Sequence, residues 1–268
     1  DRHIVNTAYS FEALMDEVVF ILGPIIVTAC ATTIAPAAGI ISGIIFLAVG
    51  IPLFVIQKDT EPPGNPKREV DPHPAVIRNK RVQAVVLPTT LLGGFFGSIA
   101  IVTVAFAEAR GQANLSGILL AIWAAGSAVA AIMNGVIKWR LTSATRFLIS
   151  LFALTVLSIP MLFVHSTTWL AVALFFNGFA IAPLVINAYG VAEGAVPPDQ
   201  ITETLTWVVA GMPMGGALAS ALSGQIIDRF GADIAYWVPL GFMIAACVAT
   251  LPYFQTYKGL IGYSQPRD

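Results

Sequence analysis

Apolar residues in this chain come in long unbroken runs. They do not alternate residue by residue, as in a half-buried strand, and they do not keep to one stripe, as in a soluble amphipathic helix. Apolar stretches that carry charge at most in their first turn number eight: Leu14–Ile34, Pro36–Ile56, Ala84–Ala107, Leu115–Ile137, Arg146–Val164, Thr168–Gly190, Thr204–Ile227 and Ile234–Phe254. Each is about 20 residues long, which is what an α-helix needs to cross the hydrocarbon core of a bilayer. A transmembrane β-barrel would instead show segments of about 10 residues with alternating polarity. The pattern therefore predicts an all-α, polytopic membrane helix bundle with eight transmembrane helices. One interval differs from the rest. Residues 57–81 are polar and carry Pro62, Pro63, Pro66, Pro72 and Pro74, a composition that predicts an extended, semi-rigid linker. The expected organisation is two helices in 1–56, a Pro-rich basic linker in 57–83, six helices in 84–255 and a tail in 256–268.

Composition narrows the class. The chain is 57% hydrophobic and 11% charged, with a mean hydropathy of +0.80, against roughly 25% charged residues in soluble domains. A water-soluble globule, a disordered chain and a nucleic-acid binder are excluded, the last because its basic patch would need far more Lys and Arg. The net charge of −1 implies no partner by whole-chain electrostatics. The placement of the cations says more. With the N-terminus in the cytoplasm, twelve of the fourteen Lys and Arg fall in cytoplasmic segments, and only Arg110 and Arg229 lie outside. Cytoplasmic loops carry that excess, so both ends of the chain are expected in the cytoplasm, with the spans in the cell inner (plasma) membrane.

Candidate chemistry is sparse. No ionisable side chain lies at the centre of a run, and no Gly-rich phosphate loop followed by Lys is present. Cys30 and Cys247 sit inside apolar runs and read as packing residues. No cofactor, metal site or catalytic residue is implied, and an enzyme is not expected. Asp16 and Glu17, at the start of the first run, fit either favourable placement at a helix N-terminus or a coupling or gating role, since ionisable groups in a membrane default to function. Deeper in the runs the polar residues are amides and hydroxyls. Asn177 sits near the middle of the sixth run, Asn187 falls on one helical stripe with Phe176, Phe179 and Pro183, and Phe95 and Phe96 stand at the midpoint of the third run within Gly93-Gly94-Phe95-Phe96-Gly97. Together with Trp123 these are candidates for a substrate cavity, suited to an amphipathic organic molecule more than to a bare ion; lipid-facing aromatics are the alternative.

Two further patterns bear on packing and motion. Helices in lipid approach closely through small residues four apart, and the chain offers Gly39/Gly43, Gly93/Gly97, Ser127/Ala131/Gly135 and Gly211/Gly215/Ala219/Ser223. Prolines 24, 52, 88, 160, 183, 213 and 239 fall inside the runs, and each is expected to kink its helix, as a protein that alternates between shapes would use.

These features carry a resemblance. Gly23-Pro24 looks like the end of an antiporter motif in a fifth helix. Gly224-Gln-Ile-Ile-Asp228-Arg229-Phe-Gly231 resembles a Gly-x-x-x-Asp-Arg-x-Gly loop signature, here read as a tight turn at a helix end. Gly135-Val-Ile-Lys-Trp-Arg140 is similar to its counterpart between the eighth and ninth helices, with Trp139 where that pattern has Asp. Residues 197–203 look like the approach to the eleventh helix in bacterial members. The chain thus resembles helices five to twelve of a major facilitator superfamily transporter, without the first four. The resemblance implies alternating access by two six-helix bundles around a midplane site. It also implies a small-molecule substrate, a proton or other coupling ion, a lipid bilayer around a monomer, and efflux by antiport. In that frame the third and sixth runs line the cavity, and the first, fourth and seventh flank it. Uptake in place of efflux, a channel, and a lipid-handling protein are the rival readings.

Overall fold

The computed structural model describes residues 34, 35, 37–58, 75–137 and 139–263, with scattered positions between 7 and 30. Asp16, Glu17 and Pro24 lie outside the described residues, as does most of the first expected span. The chain forms two compact units, one of Asp1–Glu17 with Ala75–Asp268 and one of Val18–Pro74. Among the described residues all regular structure is helical. Seven stretches of the described residues are long and apolar enough to cross a membrane, and they coincide with seven of the eight expected spans.

In the smaller unit, Gly23 is helical, and α1 (Ala38–Ile56) is an apolar helix that runs uninterrupted through Pro52. The larger unit holds α2 (Lys80–Ala109), α3 (Ser116–Val136), α4 (Ser143–Ser158), α5 (Thr167–Gly178), α6 (Ile181–Ala195), α7 (Ile201–Phe230), α8 (Ala232–Ala235), α9 (Trp237–Thr250) and α10 (Phe254–Tyr263). Side-chain caps set several starts: Asn79 accepts from the Arg81 N–H at 2.9 Å, Thr142 from Thr145 at 3.2 Å and Ser166 from Trp169 at 3.3 Å, each satisfying a donor that has no partner within the helix. The segment expected as a tail is helical through Tyr263, and Tyr257 is buried with its hydroxyl donating to the Ala84 carbonyl.

The prolines divide by position. Pro88 and Pro213 lie inside unbroken α2 and α7. Pro160 converts the end of α4 to a 3-10 turn over Ile159–Phe163. Pro239 follows the junction of α8 and α9 at Tyr236, and Pro183 follows the break between α5 and α6 at Phe179 and Ala180. Pro183 has no N–H to offer the carbonyl four residues back, and its ring crowds that position; the chain steps tighter there, with Ala180 N–H on Asn177 O at 3.1 Å.

Where the helices cross, glycine decides how closely. A methyl group at Gly93 would strike the Met212 backbone, one at Gly97 the Gly216 carbonyl, and one at Gly215 the Thr90 carbonyl. The small-residue ridges of α2 and α7 therefore meet each other backbone to backbone, and Ser220 adds a hydrogen bond to the Gly97 carbonyl at 3.3 Å. The same holds for α3 and α5, where Gly126 faces the Phe175 carbonyl and Gly178 the Trp123 carbonyl. Such contacts replace the hydrophobic drive that lipid removes.

The two ends of this unit differ. At one, Val76 N–H donates to Glu203 at 3.3 Å and Tyr253 to Gln83 at 3.1 Å. At the other, Arg110 pairs with Asp233 at 2.8 Å, donates to the His165 carbonyl at 3.2 Å and lies over the Phe106 ring at 3.4 Å. Arg110 and Arg229 share this second end; Arg78, Lys80, Arg81, Arg140, Arg146 and Lys258 share the first, as the alternating direction of the helices requires.

Candidate functional site

Backbone contact between α3 and α5 sets the geometry of the middle of the bundle. Because Gly178 lets the Trp123 carbonyl approach, the side chains beside these two positions come within hydrogen-bonding reach. Trp123 Nε1 donates to Asn177 Oδ1 at 2.9 Å. Asn177 Nδ2 donates in turn to Ser158 Oγ at 3.0 Å, and the Ser158 hydroxyl to the Leu154 carbonyl at 2.7 Å. Three helices, α3, α5 and α4, are thereby tied by one polar chain, as buried amides and hydroxyls in lipid require. Ser158 carries no signal in the sequence beyond being a hydroxyl in an apolar run.

The Trp123 ring also packs against α2. Its centroid lies 5.6 Å from Phe96 and 6.1 Å from Phe95, and the two phenyl rings are 6.1 Å apart, with tilted or edge-on planes throughout, the arrangement that ring quadrupoles favour. Phe95 is fully buried, whereas Phe96 and Trp123 are half-buried. The structure thus gathers Phe95, Phe96, Trp123 and Asn177 into one cluster near mid-span, next to the break between α5 and α6.

Two of the expected cavity residues are not in that cluster. Phe176 is 55% exposed and lines a separate open groove of about 850 Å³ with Pro160, Phe163, His165 and Trp169. Asn187 is buried; its Nδ2 donates to the Pro183 carbonyl at 2.6 Å, and its Oδ1 has no hydrogen-bond partner among the described residues. The expected stripe through Phe176, Phe179, Pro183 and Asn187 assumes one continuous helix. The helix is interrupted by a turn at Phe179 and Ala180, and Phe176 is exposed where Asn187 is buried, so the stripe does not form a single face.

The loop signatures fall at the bundle ends. Helix α7 continues through Gly224, Asp228 and Arg229, and the turn is confined to Gly231, whose φ of +85° suits glycine. The expected tight turn over the whole of Gly224 to Gly231 is corrected accordingly: the residues from Gly224 to Phe230 keep their helical hydrogen bonds. Asp228 and Arg229 are exposed. At the other signature, Gly135 closes α3 and Arg140 is exposed in the following loop. Trp139 Nε1 donates to the Asn134 carbonyl at 3.1 Å, and the buried Arg146 guanidinium lies 5.3 Å from its ring centroid. An aromatic face thus meets a cation where the pattern has a carboxylate.

A helical bundle of membrane-crossing length, with its polar side chains joined at mid-depth beside a broken helix, has the build of a polytopic membrane transporter. The family model of the Major Facilitator Superfamily matches residues 86–266, about two thirds of the chain, and the chain belongs to that family. No individual curated protein matches it. The protein is accordingly a multi-pass membrane transporter, of a family whose members bind small-molecule substrates within the membrane.

Proposed function

We propose that this transporter exports a small organic molecule by proton antiport, with the substrate held at the cluster of Phe95, Phe96, Trp123 and Asn177. The observation that carries the reading is the polar chain from Trp123 through Asn177 to Ser158, lying against three stacked rings beside the break between α5 and α6. Broken helices at mid-membrane are where secondary transporters place their substrates. Export is supported by the likeness of Gly23-Pro24 to an antiporter motif, and Asp16 and Glu17 are the proposed coupling or gating carboxylates. In this reading 1–56 supplies the last two helices of an N-terminal bundle, 57–83 tethers it in the cytoplasm, and 84–255 forms the C-terminal bundle of a monomer. The lopsided distribution of Lys and Arg supports cytoplasmic ends and a place in the plasma membrane.

Everted membrane vesicles holding the full-length protein test this. With an acidic lumen and a panel of small organic compounds, at least one should accumulate inside, and nigericin should abolish the accumulation. Accumulation indifferent to the pH gradient overturns proton antiport, and transport in the opposite direction overturns export.

A further inference from the structure

We infer that Asn177 is a positioning residue that does not touch the substrate, and that the cluster recognises a flat aromatic ring system by ring faces alone. The inference rests on the proposed location of the substrate and goes beyond it in assigning chemistry. Asn177 is 0% exposed. Its Oδ1 is engaged by the Trp123 indole and its Nδ2 by Ser158, whose own hydroxyl is turned to the Leu154 carbonyl. The amide therefore reaches nothing outside the bundle, and the indole N–H, the one polar group Trp123 could offer a ligand, points inward to meet it. Phe96 and Trp123 are half-buried, and with the indole N–H engaged what they offer a ligand is aromatic carbon alone, on rings inclined at 61° to each other. A substrate rich in hydroxyls or carboxylates would lose its hydration there without replacement hydrogen bonds; a flat aromatic system would stack or meet the rings edge to face.

Ethidium serves as the probe, bound at equilibrium to the full-length protein in phospholipid vesicles without any gradient. Saturable binding is expected, undisturbed by glucose or citrate. Trp123→Leu, which removes all aromatic surface, should weaken binding by about tenfold, whereas Trp123→Phe, which removes the N–H and the pyrrole half of the indole but keeps an aromatic ring, should weaken it by less than about threefold. Asn177→Leu should weaken binding about fivefold in the native background and less than about twofold in the Trp123→Phe background, the non-additivity of a residue that acts through another. Ser158→Ala should act in the same direction and carries the test if Asn177→Leu does not fold. Four results overturn the inference: no saturable ethidium binding, displacement by glucose or citrate, equal losses from Trp123→Phe and Trp123→Leu, or an Asn177→Leu effect that is the same in both backgrounds. Because this measurement needs no proton gradient, it can fail while gradient-driven export of other compounds stands, and it can succeed where that export fails.

Discussion

Asn177 and Asn187 are buried amides ten positions apart, yet their energetics are opposed. Asn177 has partners at both ends, so its removal leaves the Trp123 N–H and the Ser158 hydroxyl to find others. Asn187 has an oxygen without a partner among the described residues, and a buried unsatisfied acceptor costs about 1–3 kcal/mol. Asn177→Leu should therefore lower stability by about 1–3 kcal/mol, while Asn187→Leu should be neutral or stabilising by about 1 kcal/mol. Thermal unfolding of the detergent-solubilised protein decides between them, and equal losses would mean that the Asn187 oxygen is engaged. At this scale the sequence marked both amides and the aromatics Phe95, Phe96 and Trp123. It could not distinguish the roles, because hydrogen-bond satisfaction depends on groups far along the chain: Trp123 and Asn177 are 54 positions apart.

At the scale of elements, the glycines make the sharper test. Gly215→Ala drives a methyl group into the Thr90 carbonyl, a backbone atom that cannot rotate away, and overpacking of this kind costs about 1–3 kcal/mol. Gly224→Ala, nine positions on in the same helix, meets nothing within 4 Å; it should be neutral or raise stability by up to about 1 kcal/mol, the helix preference of Ala over Gly. Unfolding midpoints of the two variants should move in opposite directions or differ clearly in size. Pro183→Ala should restore the missing N–H and favour a continuous α5–α6 helix, read as slower maximal transport with the protein still folded. Small-residue spacing marked the ridges of α2 and α7 in advance but said nothing of their pairing, since a smooth face permits approach by any neighbour. The prolines likewise looked equivalent in sequence, and only their position relative to helix ends separated Pro160, Pro183 and Pro239 from Pro52, Pro88 and Pro213.

For the whole molecule, the alternation of the helices puts Arg140 and Arg229 at opposite ends of the larger unit. The proposed orientation makes the end of Arg140 cytoplasmic. In a protein whose Cys30 and Cys247 are replaced by Ser, a membrane-impermeant maleimide should label Arg229→Cys on intact cells and Arg140→Cys only after permeabilisation. The reverse pattern would overturn the orientation without disturbing the helix order. The ion pair of Arg110 with Asp233 ties loops at the Arg229 end, but Asp233 is 65% exposed, so the pair itself contributes no more than about 1 kcal/mol.

By itself the sequence determined the class, the number and placement of the described spans and the asymmetry of charge. These follow from transfer free energy summed along a contiguous run, which needs no knowledge of neighbours. Tertiary structure decided which small faces met, where the sixth span broke, and which of six candidate cavity residues came together. Each of those depends on helices distant in sequence arriving at one place: Gly178 admits the Trp123 carbonyl, the approach turns the indole to Asn177, and across the turn before Pro183 Phe176 is left exposed while Asn187 is buried.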